Sequence, residues 1–169
     1  ILQAAEWGSI EDPELVAARE TLAGKSGPPY LRDYDREMLM GDIAHYWWDI
    51  PIGPGEWDVI RLHRVVRESR PHRPIHTKKS LFALHGTPGH FEVMFLVGSV
   101  VAAVPEDHSL AIYLAEQDVD VWGIAQPYTL VPEEVTDFSF MADWGLGFDA
   151  DNLLTGMKVA RFVRRVTGD

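Results

Sequence analysis

The sequence predicts an α/β domain with a mostly parallel sheet that is covered by helices on both faces. From residue 57 onward, apolar stretches of strand length alternate with amphipathic helical stretches, and such alternation is typical of parallel sheets with helical cover. The chain has 169 residues, of which 46% are hydrophobic and 24% charged. This is enough apolar material for one domain, or one large part of a domain, with a buried core.

Charge and composition exclude several classes of function. The formal net charge is −11, whereas a nucleic-acid-binding face needs clustered Lys and Arg, so nucleic acid is not an expected partner. The most apolar stretch, 91–104, is interrupted by Glu92 and is too short to span a membrane. The chain has no cysteine, which excludes disulfides, thiolate metal ligands and a cysteine nucleophile but leaves the cellular compartment open.

Residues 1–56 are predicted to form an N-terminal extension of helices and loops. A helix is expected to begin at Asp12–Pro13, because proline favours the first helical position. A second helix is expected from Asp33 to Tyr46. The two prolines and two glycines of 51–55 then predict a loop.

Residues 57–169 are predicted to hold four strands and two crossover helices. The first strand follows Trp57, and a short return strand is expected at 75–79. Ser80–Leu84 has the continuous apolar character of a central strand that is covered on both faces. The remaining elements, in chain order, are a helix after Pro105, a strand at 119–124, a long loop at 126–147 and a last helix that opens near Asp149.

A glycine-rich turn follows the apolar strand at 80–84. Its first residues are His85, Gly86 and Thr87. Backbone N–H groups just after such a strand can point at a developing negative charge. We therefore predict that the N–H groups of Thr87 and Gly86 form part of an oxyanion hole and that His85 supports the loop. The alternative is a plain turn that needs glycine for its backbone geometry.

These residues carry a resemblance to a known family. The strand that ends in His85–Gly86, the helix with Ser109–Ala115 and the strand with Asp120-Val121-Trp122-Gly123 together resemble the N-terminal half of an α/β-hydrolase of the lipase and esterase kind. The resemblance covers about Trp57 to Gly168. It implies a serine hydrolase that cleaves an ester, lactone or related acyl bond, in which the His-Gly pair supplies an oxyanion-hole N–H. No cofactor is expected.

The chain departs from this family in one important respect. None of its serines has glycines both two residues before and two residues after it, so the Gly-x-Ser-x-Gly nucleophile motif is absent. We therefore expect the serine, acid and histidine to come from a C-terminal chain of the same precursor, cut after Gly168, or from a missing C-terminal part. The first half alone is expected to leave the sheet edge at the fourth strand unpaired.

Three residues are predicted to contact a small acyl substrate. Gln126 and Tyr128 follow the carboxyl end of a predicted central strand, where ligands bind in open α/β sheets. Phe91 is the third, because an aromatic side chain just after the turn can line a pocket. The other aromatic residues of the chain are expected to be mostly core, and Asp137 and Asp143 are expected to be solvated rather than catalytic.

Two alternatives remain open at this point. In the first, the protein is a non-catalytic, hydrolase-like ligand-binding subunit, and the turn only closes a pocket. In the second, it is a metal-dependent hydrolase that uses the histidines concentrated between His63 and His90. The four-residue spacing of His72 and His76 is typical of metal ligands on a helix, but Pro71 and Pro74 exclude a regular helix there. No metal site is therefore predicted.

Overall fold

The computed structural model describes residues 33–87 and 89–167. The helix predicted at Asp12–Pro13 and the cleavage point proposed after Gly168 lie outside the described residues. The described residues from Tyr34 to Thr167 form one compact unit. No helix in the described part of the chain is both long enough and apolar enough to cross a membrane.

The unit is built on one sheet of mixed direction. Its strands are β1 (Asp35–Met38), β2 (Ile43–Pro51), β3 (Val59–Arg70), β4 (Arg73–Pro74), β5 (Lys79–Leu84) and β6 (Val119–Ala125). They follow the order β1-β2-β3-β6-β5, and the short β4 pairs with β3. Among the described strands, β5 and β6 pair in parallel and every other pair is antiparallel. The prediction of a mostly parallel sheet is therefore wrong, because the short connections between β1, β2 and β3 permit only antiparallel pairing.

The prediction of a helix from Asp33 to Tyr46 is also wrong, because this segment contributes β1 and the first half of β2. Tyr46, Trp48 and Ile50 lie buried on one face of β2, while Ile43 and His45 are buried on the other. A strand that is covered on both faces shows no apolar–polar alternation in its sequence. Both strands precede residue 57, where the core was predicted to begin, and belong to the same sheet as the later strands.

Helices cover both faces of the sheet, as predicted. They are α1 (Phe91–Phe95), α2 (Val97–Val100), α3 (Leu110–Glu116) and α4 (Leu146–Thr167). Gly123 and Ile124 are neighbours on β6 and therefore face opposite sides of the sheet. The ring of Phe91 lies against Gly123, and Gly156 of α4 lies against Ile124. Consequently α1 and α4 pack on opposite faces, and β6 lies between them.

The strand β5 lies at the edge of the sheet, not at its centre as the apolar sequence predicted. It pairs with β6 on one side, and its residues Leu81 and Leu84 are 40% and 50% exposed. In contrast, β6 has a neighbouring strand on each side and is buried from Asp120 to Ala125. Within the described residues, β5, the predicted third strand, therefore has one unpaired edge, whereas β6, the predicted fourth strand, has none.

The long helix α4 runs back along β5 and β6 in the opposite direction. At its start, the backbone oxygen of Asp149 and the side chain of Asn152 bind the side chain of Gln126, just after β6. Near its end, Arg164 donates to Asp120 at the beginning of β6 and to the carbonyl oxygen of Thr77 just before β5. The helix thus begins near the carboxyl ends of these strands and finishes near their amino ends.

We expect Gly123→Ala to lower the free energy of unfolding by about 1–3 kcal/mol, as overpacking of a tight core usually does. A methyl group at this position would lie 2.5 Å from two ring atoms of Phe91 and 2.7 Å from the carbonyl oxygen of Ala83. Urea unfolding measures the change. Gly147→Ala is the control, because a methyl group there meets nothing within 4 Å and alanine favours a helix. Equal stability of Gly123→Ala and wild type would contradict this packing.

Candidate oxyanion turn at the carboxyl ends of β5 and β6

The parallel pairing of β5 and β6 brings most of the predicted site residues together. Leu84 pairs with Ile124, so the residues that follow these two strands leave the sheet at the same end, the carboxyl ends of the strands. His85 and Thr87 follow β5, and Gln126 and Tyr128 follow β6. The His85 and Tyr128 rings meet edge to face, with centroids 6.2 Å apart and planes at 73°, which makes these two segments one structural site.

His85 connects the ends of the two strands. Its ring is buried, and its Nε2 accepts the backbone N–H of Gln126 at 3.3 Å while its Nδ1 lies 3.2 Å from the carbonyl oxygen of Gly86. One neutral tautomer, with the proton on Nδ1, satisfies both contacts. Burial lowers the pKa of His85 from its ordinary value of 6.5, which favours this neutral form at pH 7. These contacts are the ones that the predicted role in loop support requires.

Two backbone N–H groups of the turn have no acceptor among the described residues. The N–H of Gly89 donates to the carbonyl oxygen of Gly86 at 2.8 Å and closes the turn, and Thr87 Oγ1 lies 3.2 Å from the hydroxyl of Tyr128. Within residues 33–87 and 89–167, the backbone N–H groups of Gly86 and Thr87 donate to no protein acceptor. Both residues are exposed. Their N–H groups are therefore available to an outside acceptor.

The backbone conformation of the turn does not require glycine at position 86. Its φ lies outside the left-handed region that favours glycine. A Cβ added at Gly86 would also meet no described atom within 4 Å. Among the described residues, nothing fills the space beside Gly86, and nothing requires glycine there.

The other residues that were predicted to contact a substrate have partners within this chain. Phe91 is fully buried, and its ring stacks on that of His63 with centroids 4.4 Å apart and planes 5° apart. The side-chain oxygen of Gln126 accepts from Asn152, and its side-chain nitrogen donates to the backbone oxygen of Asp149. Gln126 thus ties the end of β6 to α4. Substrate contacts by Phe91, Gln126 and Tyr128 stay predictions.

A buried histidine pair that sequence reasoning did not identify lies beneath α1. His45 Nε2 and His63 Nδ1 are 2.9 Å apart, and His45 Nδ1 is 3.0 Å from a carboxylate oxygen of Glu37. Glu92 of α1 places one carboxylate oxygen 3.9 Å from His63 Nδ1 and the other 2.8 Å from His90 Nδ1. Eighteen residues separate the paired histidines, so only the register of β2 against β3 reveals the pair.

No described contact joins the remaining predicted polar candidates to the turn. His72 follows β3 and is held by the hydroxyl of Tyr34 at 2.8 Å. Asp137 and Asp143 are exposed, and the carboxylate of Asp137 accepts the backbone N–H of Ser139 at 2.9 Å. In the described ranges, no group of three or more His, Cys, Asp or Glu side chains is placed to hold a metal ion.

His63 is expected to make stability depend on pH. Burial, reinforced by nearby His45 and Arg61, holds its pKa well below 6.5, so the folded chain takes up this proton less readily than the unfolded chain. The contribution of neutral His63 to the free energy of unfolding is therefore fully present above pH 6.5. It is lost as the pH falls from 6.5 toward the lowered pKa, by up to about 1.4 kcal/mol per pH unit.

Urea unfolding between pH 7.5 and pH 5 tests this expectation in wild type and His63→Phe. The variant keeps a ring against Phe91 but cannot be protonated, so its stability should fall less steeply than that of wild type. His76→Phe, at an exposed position, is the control and should retain the wild-type pH dependence. Parallel pH profiles of His63→Phe and wild type would contradict a buried, neutral His63.

The comparisons with known proteins identify a fold but no family. No family model and no curated protein matches the sequence. A solved structure described as a putative lipase from Sulfolobus solfataricus matches with a TM-score of 0.58 and 20% sequence identity. The match covers 80% of this chain but 39% of the lipase chain. The described residues therefore have a lipase-like, mixed α/β fold that spans well under half of its structural neighbour.

Proposed function

We propose that this chain is the oxyanion-hole-bearing N-terminal part of a serine hydrolase that cleaves an ester, lactone or related acyl bond. The carrying observation is the pair of free N–H groups at Gly86 and Thr87, beside the open space at Gly86. The turn lies at the carboxyl end of a parallel strand pair, where α/β folds place their ligands. The lipase-like fold is consistent with this class of reaction.

In this proposal the substrate carbonyl oxygen binds against the N–H of Thr87, with the N–H of Gly86 as a second donor. Negative charge grows on that oxygen when a nucleophile attacks the carbonyl carbon, and fixed donors stabilise it without rearranging. His85 holds the turn through its contacts with Gly86 and Gln126. The loss of a single donor of this kind reduces the rate on the order of 10²–10³-fold in hydrolases.

The bond-making groups come from a C-terminal chain of the same precursor, or from a continuation of this one. The support is the edge of β5, with which no described strand pairs, and the direction of α4, which returns to the amino end of that strand near Thr77. A strand that follows such a crossover helix joins the sheet in parallel. Pairing at this edge would also cover the exposed Leu81 and Leu84. That added part would bring the serine, acid and histidine.

A fluorophosphonate probe tests the proposal on the protein purified in its intact native form. Peptide mapping should find the label on a serine outside these 169 residues, and the intact mass should show whether that serine is on a separate chain. Label on a serine within the 169 residues would contradict the proposal. Absence of label on a folded protein would also contradict it and would favour the non-catalytic ligand-binding subunit.

A further inference from the structure

A group of partly exposed aromatic rings is formed by the long loop between β6 and α4, the first turn of α4 and Trp57 before β3. Phe140 and Trp144 meet edge to face, with centroids 5.5 Å apart and planes at 71°, and Trp144 stacks on Phe148 at 5.2 Å and 10°. Phe138 and Trp57 each lie 6.4 Å from Phe140. We call these five residues the aromatic corner. Each remains at least partly exposed, and Phe138 is 53% exposed.

The aromatic corner lies at the same edge of the sheet as the oxyanion turn. Arg61 near the start of β3 pairs with Ala125 at the end of β6, so Trp57, just before β3, is also at this edge. Phe148 is in the first turn of α4, whose backbone at Asp149 holds the side chain of Gln126. A substrate bound at Gly86 and Thr87 would therefore extend along an edge that carries these rings.

The described sequence around the aromatic corner is mainly acidic. Residues 80–157 contain neither Lys nor Arg but include aspartate and glutamate throughout. Glu133, Glu134, Asp137 and Asp143 on the same loop are all exposed. Arg61 carries a positive charge near the start of β3, but its guanidinium is paired with Asp49 at 2.6 Å. The resulting field attracts cations to this edge and repels anions.

We propose that the aromatic corner binds an ammonium group carried by the substrate of this hydrolase. The faces of Trp and Phe attract cations within about 6 Å of the ring centre, and rings that meet at an angle are the usual recognition surface for quaternary ammonium groups. A neutral alkyl group gains the same apolar contact but neither the cation–π attraction nor the acidic field. The inference that the ammonium belongs to a substrate ester rests on the proposed function, whereas ammonium binding itself does not.

Equilibrium binding to the intact protein tests this inference without any turnover. Choline and 3,3-dimethylbutanol have the same shape, but the alcohol has an uncharged carbon in place of the quaternary nitrogen. At low salt, choline should bind about 5–20-fold more tightly, and salt should weaken choline binding while leaving the alcohol unchanged. Calorimetry or ligand-detected NMR measures both affinities. Equal affinities, or no choline binding at all, would overturn the inference.

Variants then locate the binding surface. Trp144→Leu should weaken choline binding at least 5-fold, while Trp144→Phe, which keeps a ring face, should retain most of it. Tyr113→Leu removes an exposed aromatic residue on α3 and should leave the affinity unchanged. If a folded Trp144→Leu variant binds choline as tightly as wild type, the choline site lies elsewhere and the inference is overturned. Ammonium binding with no fluorophosphonate labelling would instead support the binding site and contradict both the proposed hydrolysis and the assignment of the ammonium to a substrate ester.

Discussion

Asp120→Ala is expected to lower the free energy of unfolding by about 3–5 kcal/mol, because it leaves buried positive charge without its partner. The Asp120 carboxylate accepts two hydrogen bonds from Arg64, each 2.9 Å long, and a third from Arg164 at 3.2 Å. The side chains of Asp120 and Arg64 are 1% and 4% exposed. A loss of this size is a large part of the total stability of a typical domain.

Urea unfolding of wild type and variant measures this loss, and Asp42→Ala is its matched control. Asp42 pairs with Arg67 at 2.9 Å, but its side chain is 46% exposed. Exposed pairs of this kind contribute about 0–1 kcal/mol, so Asp42→Ala should remain close to wild type. A small effect of Asp120→Ala would show that water reaches Arg64 readily, contrary to the burial seen in the structure.

The second half of the fold was more predictable from sequence than the first. The helix after Pro105, the strand β6 and the helix α4 each show one apolar face or one compact apolar run, and each forms near its predicted position. In β2, residues on both faces are buried, so the pattern that distinguishes a strand from a helix is lost. A short apolar run likewise does not show whether its strand is central or at an edge, as β5 demonstrates.

The candidate site was predictable where it depends on the backbone and not where it depends on side-chain partners. The position of His85, Gly86 and Thr87 after a strand and before a helix is a local property of the sequence. That Gln126 binds Asn152 and Asp149 depends on how α4 packs against the sheet. These partners are 23 and 26 residues away in sequence, and no local pattern encodes such distances.

Gly86→Ala is expected to lower kcat/KM on the order of 10²-fold while leaving stability nearly unchanged. The added methyl group meets no described atom within 4 Å, and the backbone at Gly86 is outside the region that disfavours alanine. The free energy of unfolding should therefore stay within about 0.5 kcal/mol of wild type. In the proposed function, the same methyl group would occupy space beside the turn that the substrate carbonyl oxygen needs to reach the N–H of Thr87, and this would weaken that hydrogen bond.

The measurement pairs urea unfolding with steady-state hydrolysis of an aryl ester that the intact protein accepts. Gly147→Ala adds a methyl group at another open position and should change neither quantity. Wild-type kcat/KM in Gly86→Ala would mean that the carbonyl oxygen does not bind at this turn. A loss of activity together with a large loss of stability would instead favour the plain structural turn. The added methyl group meets no described atom of the chain, so in the oxyanion proposal it can interfere only with a bound substrate. The proposal therefore requires that activity falls while the free energy of unfolding stays close to that of wild type.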